Sequence, residues 1–170
     1  ITAVISYNAG TNTILLTPSS FLSNNTVYTA TIKSGASGVK DVAGNALAAD
    51  YVWSFTTAAD VTAPTVSSTS PLTNATGVAT SATVTAIMSE ALNAATVTTG
   101  TVLLNAGATA ITAVISYNAG TNTITLTPSA ALSNNTVYTA TIKSGASGVK
   151  DEAGNALAAD YVWSFTTAAD

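Results

Sequence analysis

Residues 151–170 read DEAGNALAADYVWSFTTAAD, and residues 41–60 read DVAGNALAADYVWSFTTAAD. In the segment YVWSFTT (161–167), aromatic residues alternate with smaller ones, so that Trp163 and Phe165 share one face. This period of two is typical of a strand with one buried side. The preceding DEAGN contains Asp, Gly and Asn, which favour turns. The stretch therefore predicts a turn followed by a half-buried strand, and the sequence contains it twice.

The repetition extends well beyond this stretch. A shift of 110 residues matches residues 1–60 to residues 111–170 at all but four positions, whereas residues 61–110 occur once. The differing pairs are Leu15/Thr125, Ser20/Ala130, Phe21/Ala131 and Val42/Glu152. This arrangement predicts a tandem repeat with a period of 110 residues. Residues 61–170 are then a complete repeat, and residues 1–60 are the C-terminal part of a preceding one.

Strand-like segments recur through residues 61–170. They are rich in Thr and Val, whose branched side chains favour strands over helices, and only SEALNAATV (89–97) offers a short helical turn. The predicted strands are PTVSSTS (64–70), ATVTAIM (82–88), TVLLN (101–105), ITAVISY (111–117), TNTITLTP (121–128), VYTATIK (137–143) and YVWSFTT (161–167). Seven short strands separated by turns such as NAGTN, SNN and SGASG predict an all-β fold, an antiparallel β-sandwich.

The composition excludes several classes of function. Charged residues make up 7% of the chain, the only cations are four lysines, and the net charge is −4. Nucleic-acid binding requires dense Lys or Arg, so no nucleic-acid partner is expected. The sequence contains neither His nor Cys, which are the usual general base and thiol nucleophile of enzymes. We therefore expect a non-enzymatic segment. No apolar run approaches the roughly 18–20 residues of a membrane-spanning helix, so we also expect that the segment does not insert into a membrane.

The sequence resembles the bacterial immunoglobulin-like repeat of surface-layer proteins and large adhesins in five segments: APTVSSTSP, ATVTAIMSEAL, LTPSAALSNNTVYTATI, GVKDEAGNALA and YVWSFTT. The resemblance covers residues 61–170 completely and residues 1–60 as a partial copy. It implies a seven-stranded immunoglobulin-like β-sandwich that is exported to a cell surface, repeated in tandem and non-catalytic. In similar repeats an aromatic residue usually precedes the Ser-Glu pair, and we expect Met88 to fill that space in the core.

The resemblance leads to a functional hypothesis and an alternative. The hypothesis is a structural repeat of a secreted or cell-surface bacterial protein, part of an extracellular fibre, surface layer or adhesin stalk. Its partners would be neighbouring repeats of the same chain and other copies of itself. The alternative is an immunoglobulin-like module that binds a glycan or a protein through loops such as SGASG and NAGTN.

The aromatic residues are expected to serve the structure. Tyr28 and Tyr138 each lie just after an NNT turn, where a tyrosine corner would bond the hydroxyl to nearby backbone. The other aromatic positions alternate correctly for the interior of the sandwich; they are Trp53, Phe55, Trp163 and Phe165. A tryptophan that stacks on a sugar would have to face outward, so this pattern disfavours glycan binding through Trp.

The segment DEAGN (151–155) has two interpretations. In the first it is a turn, with Asp and Asn bonded to local backbone and Gly at positive φ. In the second it contributes to a Ca²⁺ site, which requires about six to eight oxygen ligands. The candidate ligands are Asp151, Glu152, Asn155 and the linker residue Asp60. Val42 replaces Glu152 in the first copy, so the two copies could not bind calcium identically.

Overall fold

In the computed structural model, which describes residues 1–170, the chain forms two compact units, residues 1–60 and residues 61–170. Both units are built from β-strands, which confirms the all-β prediction. The single helical element is a 3₁₀ turn of three residues, Ala94–Thr96, within the segment expected to form one short turn. None of the helical structure is long and apolar enough to cross a membrane.

Residues 1–60 contain four strands. They are β1 (Ala3–Asn8), β2 (Thr13–Pro18), β3 (Val27–Ile32) and β4 (Tyr51–Thr56). β1 pairs with β2 and β3 pairs with β4, both antiparallel, and each pair is a sheet of its own. Several apolar side chains of these strands are exposed, among them Ile5 and Phe55.

Residues 61–170 contain nine strands. They are β5 (Val66–Ser70), β6 (Ala75–Val78), β7 (Val84–Met88), β8 (Val102–Ala106), β9 (Thr109–Ala110), β10 (Ala113–Asn118), β11 (Thr123–Pro128), β12 (Val137–Ile142) and β13 (Tyr161–Thr167). One sheet has the order β10-β11-β7-β5, and the other has the order β6-β13-β12-β8-β9. The predicted strands all occur, with boundaries that differ by at most two residues.

The hydrophobic core of residues 61–170 draws on both sheets. Strand alternation decides which residues enter it, because successive side chains point to opposite faces. Ile124 and Leu126 are buried, whereas Thr125 between them is not. Met88 is buried in the same core, as expected for a residue that fills an aromatic position. The other central members are Val84, Ala86, Leu104, Tyr138, Ala140, Ile142, Trp163 and Phe165.

Two features differ from the sequence-based prediction. The structure contains two additional short strands, β6 and β9, neither of which has a clear alternating pattern. The expectation of a purely antiparallel fold is also wrong, because β6 pairs with β13 in parallel. The reason is that the N-terminal strand is interrupted at Pro71, which has no N–H to donate to a sheet. The chain leaves the first sheet there and joins the second as β6.

Candidate functional site

The DEAGN segment forms a closed turn around a buried carboxylate. The Asp151 side chain is 2% exposed. Its Oδ1 accepts a hydrogen bond from the Asn155 backbone N–H at 2.8 Å, and its Oδ2 accepts one from the Asn155 side-chain amide at 2.8 Å. Gly154 has a φ of +96°, which L side chains rarely adopt. The turn interpretation therefore describes how Asp151, Gly154 and Asn155 are arranged.

The first copy of this turn has the same hydrogen bonds but a different environment. Asp41 accepts hydrogen bonds from the Asn45 backbone N–H at 2.8 Å and from the Asn45 amide at 2.9 Å. The Asn45 amide is the main cause of a lowered pKa of the Asp41 carboxyl, with backbone N–H donors adding to it. Asp41 is exposed, whereas Asp151 is buried. The hydrogen bonds between Asp and Asn therefore form within the turn itself. The burial of Asp151 depends on contacts outside the turn.

The four candidate calcium ligands do not all meet. Asp151 and Asn155 are bonded to each other, whereas Glu152 is exposed. In the unit of residues 1–60, the Asp60 carboxylate accepts a hydrogen bond from the Asn24 amide at 3.2 Å. Within residues 61–170, the acidic residue that lies near Asp151 is Glu90, and the two carboxylates have oxygens within 4.8 Å of one another. Calcium binding stays the alternative interpretation of this turn, and Glu90 is a further candidate ligand that the sequence analysis missed.

Glu90 lies beside Asp151 because of a long-range backbone contact. Leu92 and Asp151 form an isolated antiparallel bridge, and the Asn93 N–H donates to the Lys150 carbonyl at 2.9 Å. These bonds hold the SEAL segment against the DEAGN turn. The two segments are far apart in the chain, so no spacing rule could have brought them together.

Tyr138 links β12 to the turn that precedes it. Its hydroxyl accepts a hydrogen bond from the Ser133 N–H at 2.8 Å, and its ring stacks on Phe165 with centroids 5.8 Å apart. Tyr28 repeats the arrangement in the first unit, where its hydroxyl accepts from the Ser23 N–H at 2.9 Å. Each tyrosine thus contributes both ring packing and a backbone hydrogen bond.

Tyr117 has a structural role that the sequence analysis missed. Its hydroxyl accepts a hydrogen bond from the Leu92 N–H at 2.8 Å and lies 3.3 Å from the Asn122 side-chain oxygen. It therefore connects the NAGTN hairpin to the SEAL segment. The only sequence signal for this role is that Tyr117 lies near the end of a predicted strand. That position does not predict which residue its hydroxyl contacts.

Trp163 lies in the core. It is 2% exposed, and its ring packs against Tyr161 with centroids 5.6 Å apart. The indole Nε1 is buried without a hydrogen-bond partner. A ring in this position presents no face to solvent, so Trp163 cannot act as a stacking platform for a sugar.

The SGASG loop (144–148) is fixed by a carboxylate and by close packing. Asp160 accepts hydrogen bonds from the Ser144 N–H at 2.7 Å and from the Ser144 hydroxyl at 2.8 Å. These two donors, with a smaller contribution from the charge of Lys143, lower the pKa of the Asp160 carboxyl. A Cβ at Gly148 would collide with the backbone carbonyl oxygens of Ser144 and Lys143, so only glycine fits.

The equivalent carboxylate in residues 1–60 also has an ion pair. Asp50 accepts hydrogen bonds from the Ser34 N–H and lies 2.8 Å from the Lys33 ammonium group. The Lys33 hydrogen bond is the largest cause that lowers the pKa of Asp50 to about 2, followed by the Ser34 donors. In both units the polar groups at this loop stabilise its conformation.

A family model described as "Bacterial Ig-like domain" matches residues 1–57 and residues 60–167. No curated protein matches the chain. The crystal structure of PcoC, a methionine-rich copper resistance protein from Escherichia coli, is 13% identical with a TM-score of 0.51, and the match covers 62% of this chain and 99% of PcoC.

Two structures of the bacterial S-layer protein SbsC are also similar. One is 19% identical with a TM-score of 0.47, and covers 63% of this chain and 14% of the SbsC chain. The other, of its N-terminal part, is 18% identical with a TM-score of 0.48, and covers 63% of this chain and 24% of that chain. The matched region is thus a small part of the S-layer protein. At these identities the likeness concerns the fold alone.

Proposed function

The chain belongs to the bacterial Ig-like domain family, and on that basis we propose that it is a non-catalytic structural module of a secreted or cell-surface bacterial protein. It would form part of an extracellular fibre, surface layer or adhesin stalk, as a tandem repeat of 110 residues. The observation that carries the proposal is the parallel pairing of β6 with β13 in residues 61–170.

Parallel pairing of β6 with β13 suits a module that resists tension. The Asn74 N–H donates to the Ser164 carbonyl at 2.7 Å, and the Ala168 N–H donates to the Val78 carbonyl at 2.8 Å. β6 follows shortly after the start of the unit and β13 ends it. Because the two strands run in the same direction, a force that separates the ends of the unit acts along both. Their hydrogen bonds are then loaded together instead of being broken one at a time.

The end of β13 is held by further bonds that support the same function. The Thr167 hydroxyl donates to the Ser133 carbonyl at 2.6 Å and accepts from the Thr136 N–H at 3.0 Å. The Asn135 N–H donates to the Ala168 carbonyl at 2.8 Å. These bonds attach the C-terminal end of β13 to the SNN turn. A force applied at the C-terminal end of the unit must therefore break these bonds as well as those between β13 and its neighbouring strands.

Single-molecule pulling tests the proposal. The chain has no cysteine, so handles can be attached at introduced cysteines. For end-to-end pulling, one cysteine replaces residue 61 and the other replaces residue 170. In the matched control the first handle is moved to Val137→Cys, at the start of β12 and opposite Thr166. Pulling then separates β12 from β13 one residue pair at a time. We expect a higher unfolding force with end-to-end attachment, because forced unfolding follows the unfolding barrier along the pulled direction. Equal forces in both geometries would contradict a tension-resisting role.

Electron microscopy distinguishes a self-associating module of a fibre or surface layer from a spacer in an adhesin stalk. In concentrated protein, ordered filaments or sheets would identify the module as a building block that associates through its own surfaces. Separate rods would identify it as a spacer within a longer chain. The low charge of the chain, 7% charged residues, supports association because it leaves little electrostatic repulsion between copies.

A further inference from the structure

Strand β10 forms one edge of the four-stranded sheet in residues 61–170 and pairs only with β11. The Ser129 N–H donates to the Thr112 carbonyl at 2.9 Å, so the backbone of Thr112 faces β11. Backbone groups alternate in direction along a strand of an antiparallel ladder. The N–H and C=O groups of Ala113, Ile115 and Tyr117 therefore point away from β11 and form a row of donors and acceptors at the free edge.

The other three sheet edges of this unit are irregular or short. β5 contains a register shift between Val66 and Ser68 and is followed by Pro71. β6 pairs irregularly with β13, and β9 has only two residues. Natural proteins protect their edges by such features and by charged residues. β10 has none of them, because it is six residues in regular register without Pro, Gly or a charged side chain.

The surroundings of the β10 edge are uncharged and partly apolar. No charged residue occurs between Glu90 and Lys143, a segment that includes β8 to β12. On the outer face of β10, Val114 is 65% exposed. Beside β10, towards β8, lies an open groove of about 340 Å³ lined chiefly by Val102, Leu104, Ile111, Ala113 and Ile115. A charged partner would find no opposite charge here, whereas a second neutral strand edge would meet no electrostatic repulsion.

The chain contains this strand twice. β1 and β10 both have the sequence AVISYN, and β1 pairs only with β2. The Ser19 N–H donates to the Thr2 carbonyl at 3.0 Å. This bond repeats the geometry at Thr112, so the equivalent backbone groups of β1 also point outward. Residues 1–32 likewise contain no charged side chain. Each chain therefore has two equivalent free edges.

We propose that β10 is a joint between copies of this chain, formed by antiparallel pairing of β10 with the same strand of a second copy. A two-fold axis at Ile115 places Ala113 opposite Tyr117 of the second copy. Each opposed pair then exchanges two hydrogen bonds, so every outward N–H and C=O of these three residues is used. The axis is normal to the sheet and keeps inner side chains on the inner face. It therefore brings Ile115 of the second copy to the mouth of the groove.

Because β1 offers the same joint, one chain binds two others, and association continues beyond a dimer into a fibre or layer. A joint of one strand is small against the roughly 1,200–2,000 Å² of a stable interface, so assembly requires high concentration. The inference rests on the proposed structural function and names the surface through which it operates. Its failure would leave a spacer module, whose resistance to tension the pulling experiment measures independently.

Sedimentation velocity of the full chain over a range of concentrations tests the joint. Ala113→Pro removes an N–H that points away from β11, so it blocks the edge and keeps the ladder to β11. Ala3→Pro does the same at β1. We expect assemblies larger than dimers for the parent chain and only dimers for Ala3→Pro. The double variant should associate at least tenfold more weakly than Ala3→Pro. Circular dichroism and tryptophan emission show that each variant is folded.

A matched pair of lysine variants separates the edge from the sheet surface. In the Ala3→Pro chain, Val114→Lys places a charge at the β10 edge. Val162→Lys makes the same change at a valine that is 57% exposed on β13, which lies between β6 and β12. We expect Val114→Lys to weaken dimerisation at least tenfold and Val162→Lys to leave it unchanged.

Disulfide formation tests the register. In the proposed joint Val114 lies opposite Ser116 of the second copy as a non-hydrogen-bonded pair, with Cα atoms about 4.5 Å apart, a distance that a disulfide spans. A mixture of Val114→Cys and Ser116→Cys chains, both with Ala3→Pro, should therefore cross-link to each other faster than either does to itself.

Three results would overturn the proposal. In the first, the parent chain stays monomeric at the highest concentration, or the double proline variant assembles as the parent does. In the second, Val162→Lys weakens dimerisation as much as Val114→Lys, which would place the contact on a sheet face. In the third, the mixed disulfide forms no faster than the disulfides within each variant, which would exclude this antiparallel register.

Discussion

The hydroxyl of Tyr138 accepts a hydrogen bond from the backbone N–H of Ser133 at 2.8 Å, and Tyr28 makes the same bond to Ser23 at 2.9 Å. The chemistry is identical, but Tyr138 is 2% exposed whereas Tyr28 is half-buried. The two copies thus provide a pair of sites in which one interaction is placed in two environments.

Replacing Tyr138 with Phe should destabilise residues 61–170. The change keeps the ring and removes the acceptor of the partly buried Ser133 N–H, which costs about 1–3 kcal/mol when it is left unsatisfied. The measurement is urea unfolding followed by Trp163 fluorescence in a Trp53→Phe background. Tyr28→Phe is the control and should leave this transition unchanged, because it lies in the other unit. A Tyr138→Phe variant as stable as its parent would show that water replaces the hydroxyl.

Shortening a core side chain should destabilise residues 61–170 more than the equivalent change destabilises residues 1–60. Ile124 is fully buried at 0% exposure, whereas its counterpart Ile14 lines an open groove. Ile124→Ala should cost about 2–5 kcal/mol, because the lost burial is joined by a cavity. Ile14→Ala should change the stability of its own unit by much less, as measured by amide exchange in β1–β4. Equal effects at both sites would indicate that the face of residues 1–60 is covered in solution.

The sequence predicts strands well where one face is buried and the other is not. Trp163, Phe165, Ile124 and Leu126 are buried as their alternation requires. It does not predict β6, because ATGV lacks alternation and pairs only after the chain changes sheets at Pro71. The approach of Glu90 to Asp151 also escapes sequence reasoning, since it depends on a bridge between distant segments. Local patterns define strands, whereas contacts between loops require the complete fold.

The carboxylate of Asp160 should make stability depend on pH. Its pKa in the folded state lies below the ordinary value of an aspartate, because Ser144 donates two hydrogen bonds to the charged form. A lowered folded-state pKa contributes stability that is present above the unfolded-state value and is lost as the pH falls through the folded-state value. The contribution is therefore complete at pH 7 and declines below about pH 4.

Thermal unfolding of Asp160→Asn against the parent chain tests this dependence. The variant should melt at lower temperature at pH 7, and the difference between the two should shrink between pH 4 and pH 2. Ser144→Ala, which removes one of the donors, should show a smaller difference with the same pH dependence. A difference that is constant from pH 7 to pH 2 would mean that Asn disrupts the loop for a reason unrelated to charge.

The Asn155 amide should stabilise residues 61–170 by holding the buried Asp151 carboxylate. Asn155→Ala keeps the backbone hydrogen bond and removes the 2.8 Å bond to Oδ2, and we expect a loss of about 1–3 kcal/mol in urea unfolding. Asn45→Ala is the matched control, and its effect on its own unit should be smaller because Asp41 is exposed. Equal losses at both sites would show that the bond acts only within the turn.

A second measurement on this turn is the effect of calcium on the melting temperature. Both Asp151 oxygens already accept hydrogen bonds from Asn155, so we expect the melting temperature of residues 61–170 to be the same in excess calcium and in chelator. A rise in calcium that disappears in Glu90→Gln would contradict this expectation. It would place an ion between the Glu90 and Asp151 carboxylates, whose oxygens lie within 4.8 Å. Glu152→Gln is the control, because its side chain is exposed and its substitution should leave any such rise intact.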